Sequence, residues 1–139
     1  MMQLVVLFRA MQMFSHSAHL LCSKVVFFQD HEFFGETYGK AEGWFDAISE
    51  RMIGLGQEEQ LKLQPIMSAV TQKLSSAPSV GVAENKEYYK FLMTQAEEAC
   101  KLCDQLCKGG QLSEGTRQLL GGIADELEVM KYKISRRIK

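Results

Sequence analysis

His19 and His31 stand twelve residues apart, and Asp46 and Glu50 follow them. These four residues are the set in the chain best suited to holding a metal ion. Two imidazoles and two carboxylates form a mixed nitrogen and oxygen donor set that suits a transition metal such as iron. Asp46 and Glu50 are spaced i, i+4, so on a helix they project from one face and one ion can bridge them. His16 lies three residues before His19, and the chain has no further histidine. The competing reading is that these are solvated or hydrogen-bonded polar side chains with no ligand.

Four segments carry helical periodicity, and none alternates as a strand would. The first helix is predicted over about Gln3–Lys24, with Leu4, Phe8, Met11, Ala18, Cys22 and Val25 near one stripe. A corner over about Val25–Gln29 leads into a second helix over about Asp30–Leu55. Its expected core stripe is Phe34, Tyr38, Ala41, Phe45, Ile48, Met52 and Leu55, ended by Gly54 and Gly56. Residues 57–83 form a long connection holding both prolines, with a short amphipathic piece around Ile66–Leu74. A third helix over about Ala83–Lys108 ends at Gly109-Gly110, and a fourth runs over about Ser113–Arg137. Two antiparallel hairpins joined by a long crossover between the second and third helices give an all-α, ferritin-like four-helix bundle. We expect one such domain over residues 1–139.

On the second helix Glu32 and Glu50 are eighteen residues, or five whole turns, apart and fall on one line. Glu36 and Asp46 lie about 40° to either side, at about 100° per residue. Gly35, Gly39 and Gly43 share this face. Each glycine inside a helix costs about 1 kcal/mol relative to Ala. Close packing against a second helix, supplied by a symmetry mate, would offset that cost; alternatively the glycines only weaken an exposed face. No Glu-x-x-His motif is present to build a di-iron site within one bundle. A metal bound here would therefore be completed by another subunit.

The stretch from Ser15 to Gly56 resembles the metal-site half of Dps proteins, the miniferritins. In that family T-H-x-x-H-W-N ends the first helix, a His-Glu follows twelve residues later, and D-x-x-x-E-R precedes a Leu-Gly stop. Here the chain reads Ser15-His16-Ser17-Ala18-His19, then His31-Glu32, then Asp46-Ala47-Ile48-Ser49-Glu50-Arg51, then Leu55-Gly56. The resemblance covers nearly the whole chain, strongly over residues 15 to 56. It implies a homo-oligomer, a dimer or a dodecameric shell, that oxidises Fe(II) with peroxide or oxygen at a twofold interface. It also implies that His19 and His31 come from one subunit and Asp46 and Glu50 from its mate, with Glu32 and Glu36 guiding or binding a second ion.

Several positions depart from the family pattern. An acidic residue is usual four positions after the second histidine, and here that position is Gly35. Leu20-Leu21 replaces the usual Trp-Asn, and the Gly-Pro corner is missing. One metal position is thus expected intact and the second impaired. Trp44 is either a core residue or a local electron donor.

Composition narrows the choice further. The chain has 46% hydrophobic and 24% charged residues and a net charge of −1, the profile of a soluble globular protein with no overall basic field. The apolar MMQLVVLF lacks a basic lead-in and a cleavage site, and no stretch is long enough to span a membrane. A cytoplasmic protein is expected. Cys100, Cys103 and Cys107 fall on one helical face and read with Cys22 as small buried hydrophobes, a thiol–metal or redox role being the alternative. The last nine residues, KYKISRRIK, hold five basic residues. They suit a solvated helix end that complements the dipole, or weak phosphate contacts to DNA. Two other classes therefore remain beside the ferroxidase: a structural or interaction oligomer without efficient oxidation, and a nucleic-acid-associated bundle.

Overall fold

Long amphipathic runs punctuated by glycine, proline and serine make the chain helical from end to end. The computed structural model describes all of residues 1–139. Five α-helices follow in order: α1 (Met2–Leu21), α2 (Phe27–Gly54), α3 (Leu63–Leu74), α4 (Asn85–Lys108) and α5 (Glu114–Ile138). A short 3-10 helix, Glu58–Leu61, and α3 occupy the crossover. Helices α1 and α2 pack along their length as one hairpin, and α4 and α5 as the other. Together these four form the bundle, while α3 lies against α1.

Twenty-eight buried apolar residues make one continuous core. From α1 come Leu4, Phe8, Met11 and Phe14, from α4 Tyr88 and Leu92, and from α5 Leu120, Leu127 and Ile134. Ser113 caps α5, its side chain accepting a hydrogen bond from the Thr116 backbone N–H.

Several sequence expectations shift. The first helix stops at Leu21, and α2 begins three residues before Asp30. Val25, expected on the core stripe, is 100% exposed in the corner. On α2 the core stripe turns slightly: Thr37 and Trp44 are buried, Tyr38 and Phe45 only partly, and Leu55 is exposed. Apolarity marked the correct side of the helix, but α1 covers one flank of it. Tyr38 and Phe45 lie in that seam, where the Arg9 guanidinium sits 3.7 Å over the Phe45 ring.

Candidate metal centre

His19 lies in the last turn of α1, and His31 near the start of α2. The corner folds the two imidazoles onto each other, with ring centroids 3.7 Å apart and planes inclined by 22°. Each ring also clasps the other residue's backbone. His19 Nδ1 lies 2.7 Å from the His31 carbonyl oxygen, and His31 Nδ1 lies 2.7 Å from the His19 carbonyl oxygen. A carbonyl can only accept, so both Nδ1 atoms carry the proton as donors. In the neutral ring that leaves each Nε2 with a free lone pair, the state a metal ligand needs. The end of α1 supplies one half of this clasp, because the His19 carbonyl has no partner within its helix.

Other rings extend the stack. Phe27 lies on His31 at 5.1 Å, and Tyr38 stands edge-on to His19 at 5.4 Å. Tyr38 stacks in turn on His16 at 4.3 Å. Gly35 provides the floor: a Cβ there would lie 3.0 Å from His19 Nδ1 and 3.1 Å from Cε1. The expectation that Gly35, Gly39 and Gly43 share one role therefore divides. Gly35 meets a side chain of its own chain, while Gly39 and Gly43 have nothing within 4 Å.

Asp46 and Glu50 are exposed on α2, on the side away from the core, and neither makes an ion pair or side-chain hydrogen bond. Fifteen residues of helix separate Asp46 from His31, about 22 Å at 1.5 Å per residue. Within one chain no three His, Cys, Asp or Glu side chains gather where they could hold a metal. A single chain thus carries two half-sets, a histidine pair at one end of α2 and an acid pair towards the other. Glu32 is exposed without a partner, whereas Glu36 reaches across to Lys133 on α5 at 3.4 Å.

The strongest polar cluster was not anticipated. Asp30, fully buried, accepts from Arg137 through both carboxylate oxygens at 3.0 Å, from Tyr89 at 2.7 Å and from Asn85 at 2.9 Å. Asn85 also donates to the Ser23 carbonyl at 2.8 Å, tying the corner to α4. Burial pushes the Asp30 carboxyl up, but these three donors and the Arg137 charge outweigh it and hold the group below the usual carboxylate range. Burial, then Asp30, pushes the Tyr89 phenol up in response. The residues come from positions 30, 85, 89 and 137, so only the folded topology could have joined them. Arg137 is therefore no solvated helix end: its guanidinium is committed to Asp30, as Lys133 is paired with Glu36.

Trp44 is buried beside Phe8, with ring centroids 5.3 Å apart, in the core. All four cysteines are free. Burial pushes the Cys103 thiol up to about 12, and raises Cys22 and Cys100 too, which disfavours the thiolate that redox or metal chemistry requires.

No protein-family model matches the chain, and no curated protein does. Among solved structures it is similar to the crystal structure of Dps92 from Deinococcus radiodurans. The TM-score is 0.80 at 18% identity, over 96% of this chain and 79% of that one. The fold is thus the ferritin-like bundle that the helix order suggested, of the type seen in that Dps structure. No helix is long and apolar enough to cross a membrane.

Proposed function

We propose that this chain is a Dps-like iron protein of the cytoplasm that oxidises Fe(II), its substrate, at a site shared by two copies. The observation that carries this reading is the division of the donors. His19 and His31 are locked with Nε2 lone pairs free, and Asp46 and Glu50 are left without partners on the same helix. Two copies of the α1–α2 hairpin, related by a twofold axis and running in opposite directions, would bring one pair against the other twice over.

The surface supports such a pairing. Seven of the eleven large apolar side chains left exposed lie on α1, α2 or their corner and cap: Met13, Leu20, Leu21, Val25, Phe28, Ile53 and Leu55. Leu20 (64% exposed) and Phe28 (80%) flank the histidine pair, and Ile53 (50%) lies one turn from Glu50. An antiparallel partner would cover apolar surface beside both half-sets. In the assembled site the imidazoles supply neutral nitrogen, and the carboxylates supply the negative charge that favours Fe(III) over Fe(II). Each iron gives up one electron to peroxide or oxygen.

A light-scattering mass combined with an anaerobic Fe(II) titration, followed by peroxide, tests the proposal. A dimer or larger shell that oxidises stoichiometric Fe(II) faster than free solution is expected. A monomer, or oxidation no faster than the buffer, overturns it. A second reading, an oligomer without efficient oxidation, is favoured by Gly35, which offers no carboxylate beside the histidines. An intact oligomer with buffer-rate oxidation selects it.

A further inference from the structure

Resting on the proposed shared site, we infer that each site takes a single divalent cation and that Gly35, as the seat of the His19 ring, positions the ligand that holds it. The two half-sets together supply two imidazole nitrogens and two carboxylates, enough to ligate one ion at four positions. Such a set accepts borderline cations, Fe(II), Co(II) or Zn(II), rather than a pair of ions.

A second ion would need donors of its own around the histidine pair, and within one chain no third His, Cys, Asp or Glu side chain gathers there. Phe27 and Tyr38 flank the two rings. Glu36 faces Lys133 on α5 at 3.4 Å. Glu32 is exposed and does not gather with the two imidazoles into a group of three donors. Gly35, the α2 residue beneath His19, has no side chain, and a Cβ there would force the imidazole to give by a few tenths of an ångström. Its missing Cβ is what lets the imidazole lie flat enough to stack on His31 and donate from Nδ1 to the His31 carbonyl. Any side chain at position 35 pushes the ring off that hydrogen bond and loosens the tautomer that frees Nε2.

Co(II) added to the intact oligomer, followed by calorimetry and visible d–d absorption, is the test. Saturation at one Co(II) per chain is expected, and two per chain overturns the single-ion inference. An intact oligomer that binds no Co(II) overturns this inference together with the metal reading of the site, which keeps the two failures distinct. Gly35→Ala supplies the second arm, and because Ala favours helix over Gly the variant should fold. Expected are at least tenfold weaker Co(II) binding and loss of the Nδ1-protonated 15N signature of the His19 ring in the metal-free protein. Affinity and signature both unchanged overturn the role of Gly35. Gly35→Asp should likewise weaken binding without adding a second equivalent, and a gained equivalent overturns the steric argument.

Discussion

Helix α2 carries two kinds of carboxylate. Asp30 is fully buried and meets four donor contacts from three side chains. Asp46 and Glu50, about four and a half and five and a half turns further on, are exposed and meet none. A buried charge left unpaired is strongly destabilising, and Asp30 is satisfied within the chain. The outer pair has no such requirement, and its unpaired acids leave negative charge available to something outside the chain. The difference separates a carboxylate that builds the bundle from two that the bundle does not use.

Removing Asp30 is the harshest test of that contrast. Asp30→Ala strips the acceptor from Arg137, Tyr89 and Asn85 together, and breaking a buried ion pair by deleting one partner costs about 3–5 kcal/mol. Denaturant unfolding should show this loss. The corner that sets the histidine pair should loosen with it, because Asn85 binds both Asp30 and the Ser23 carbonyl. Replacing Asp30 and Arg137 together by apolar residues should not restore stability fully, since Tyr89 and Asn85 would still lack their acceptor.

Asp46→Asn with Glu50→Gln should behave in the opposite way. Exposed and unpaired, these positions should change the stability of the folded chain by no more than about 0.5 kcal/mol. Fe(II) oxidation should fall at least about 100-fold, since loss of outer-shell partners alone costs about 10–100-fold at metal sites. A double variant that oxidises iron normally would place the chemistry elsewhere and remove the contrast.

Acid sharpens the comparison from another side. Asp30 has its carboxyl lowered below the ordinary value of 3.8 in the folded state, so the unfolded chain binds the proton more readily. Stability from this group is complete above about pH 5 and is lost as pH falls through 4 and below, towards the lowered folded value. Asp30→Asn should flatten that limb of a pH–stability curve. A limb of unchanged steepness would show that other carboxylates drive acid unfolding.

Helix order was legible in the sequence because it depends on local spacing, whereas the division of the donors between copies was only implied by the family resemblance. Residues at three and four apart define a face, and the run from His19 to Glu50 lies on two consecutive elements. The α1 flank of α2 was not legible: Tyr38 and Phe45 are as apolar as Trp44, and nothing local says which of them reaches the centre. The Asp30 clamp was hidden for a stronger reason. Its partners lie 55, 59 and 107 residues away, and an acid in a helix's first turn already has a local explanation in the dipole. Gly35 was visible as a departure from the family pattern, but its role as the floor under His19 appears only once α1 crosses α2.

The corner between the two regions gives the smallest expected effect. Lys24 adopts φ of 80°, the left-handed conformation in which a Cβ costs about 1–2 kcal/mol. Lys24→Gly removes that cost, but it also frees the unfolded chain, at about 0.5–1 kcal/mol. It further deletes the exposed Lys24–Glu84 ion pair, worth at most about 1 kcal/mol. The three contributions nearly cancel, so stability should move by no more than about 0.5 kcal/mol. Lys24→Asn keeps a side chain that tolerates this conformation and should gain a few tenths. Co(II) affinity should not change in either variant, because the histidine clasp depends on the ends of α1 and α2 and on the Asn85 tie to Ser23, none of which uses the Lys24 side chain. A large loss of affinity in Lys24→Gly would mean that the corner's rigidity, rather than the Asp30 clamp, holds the imidazoles together.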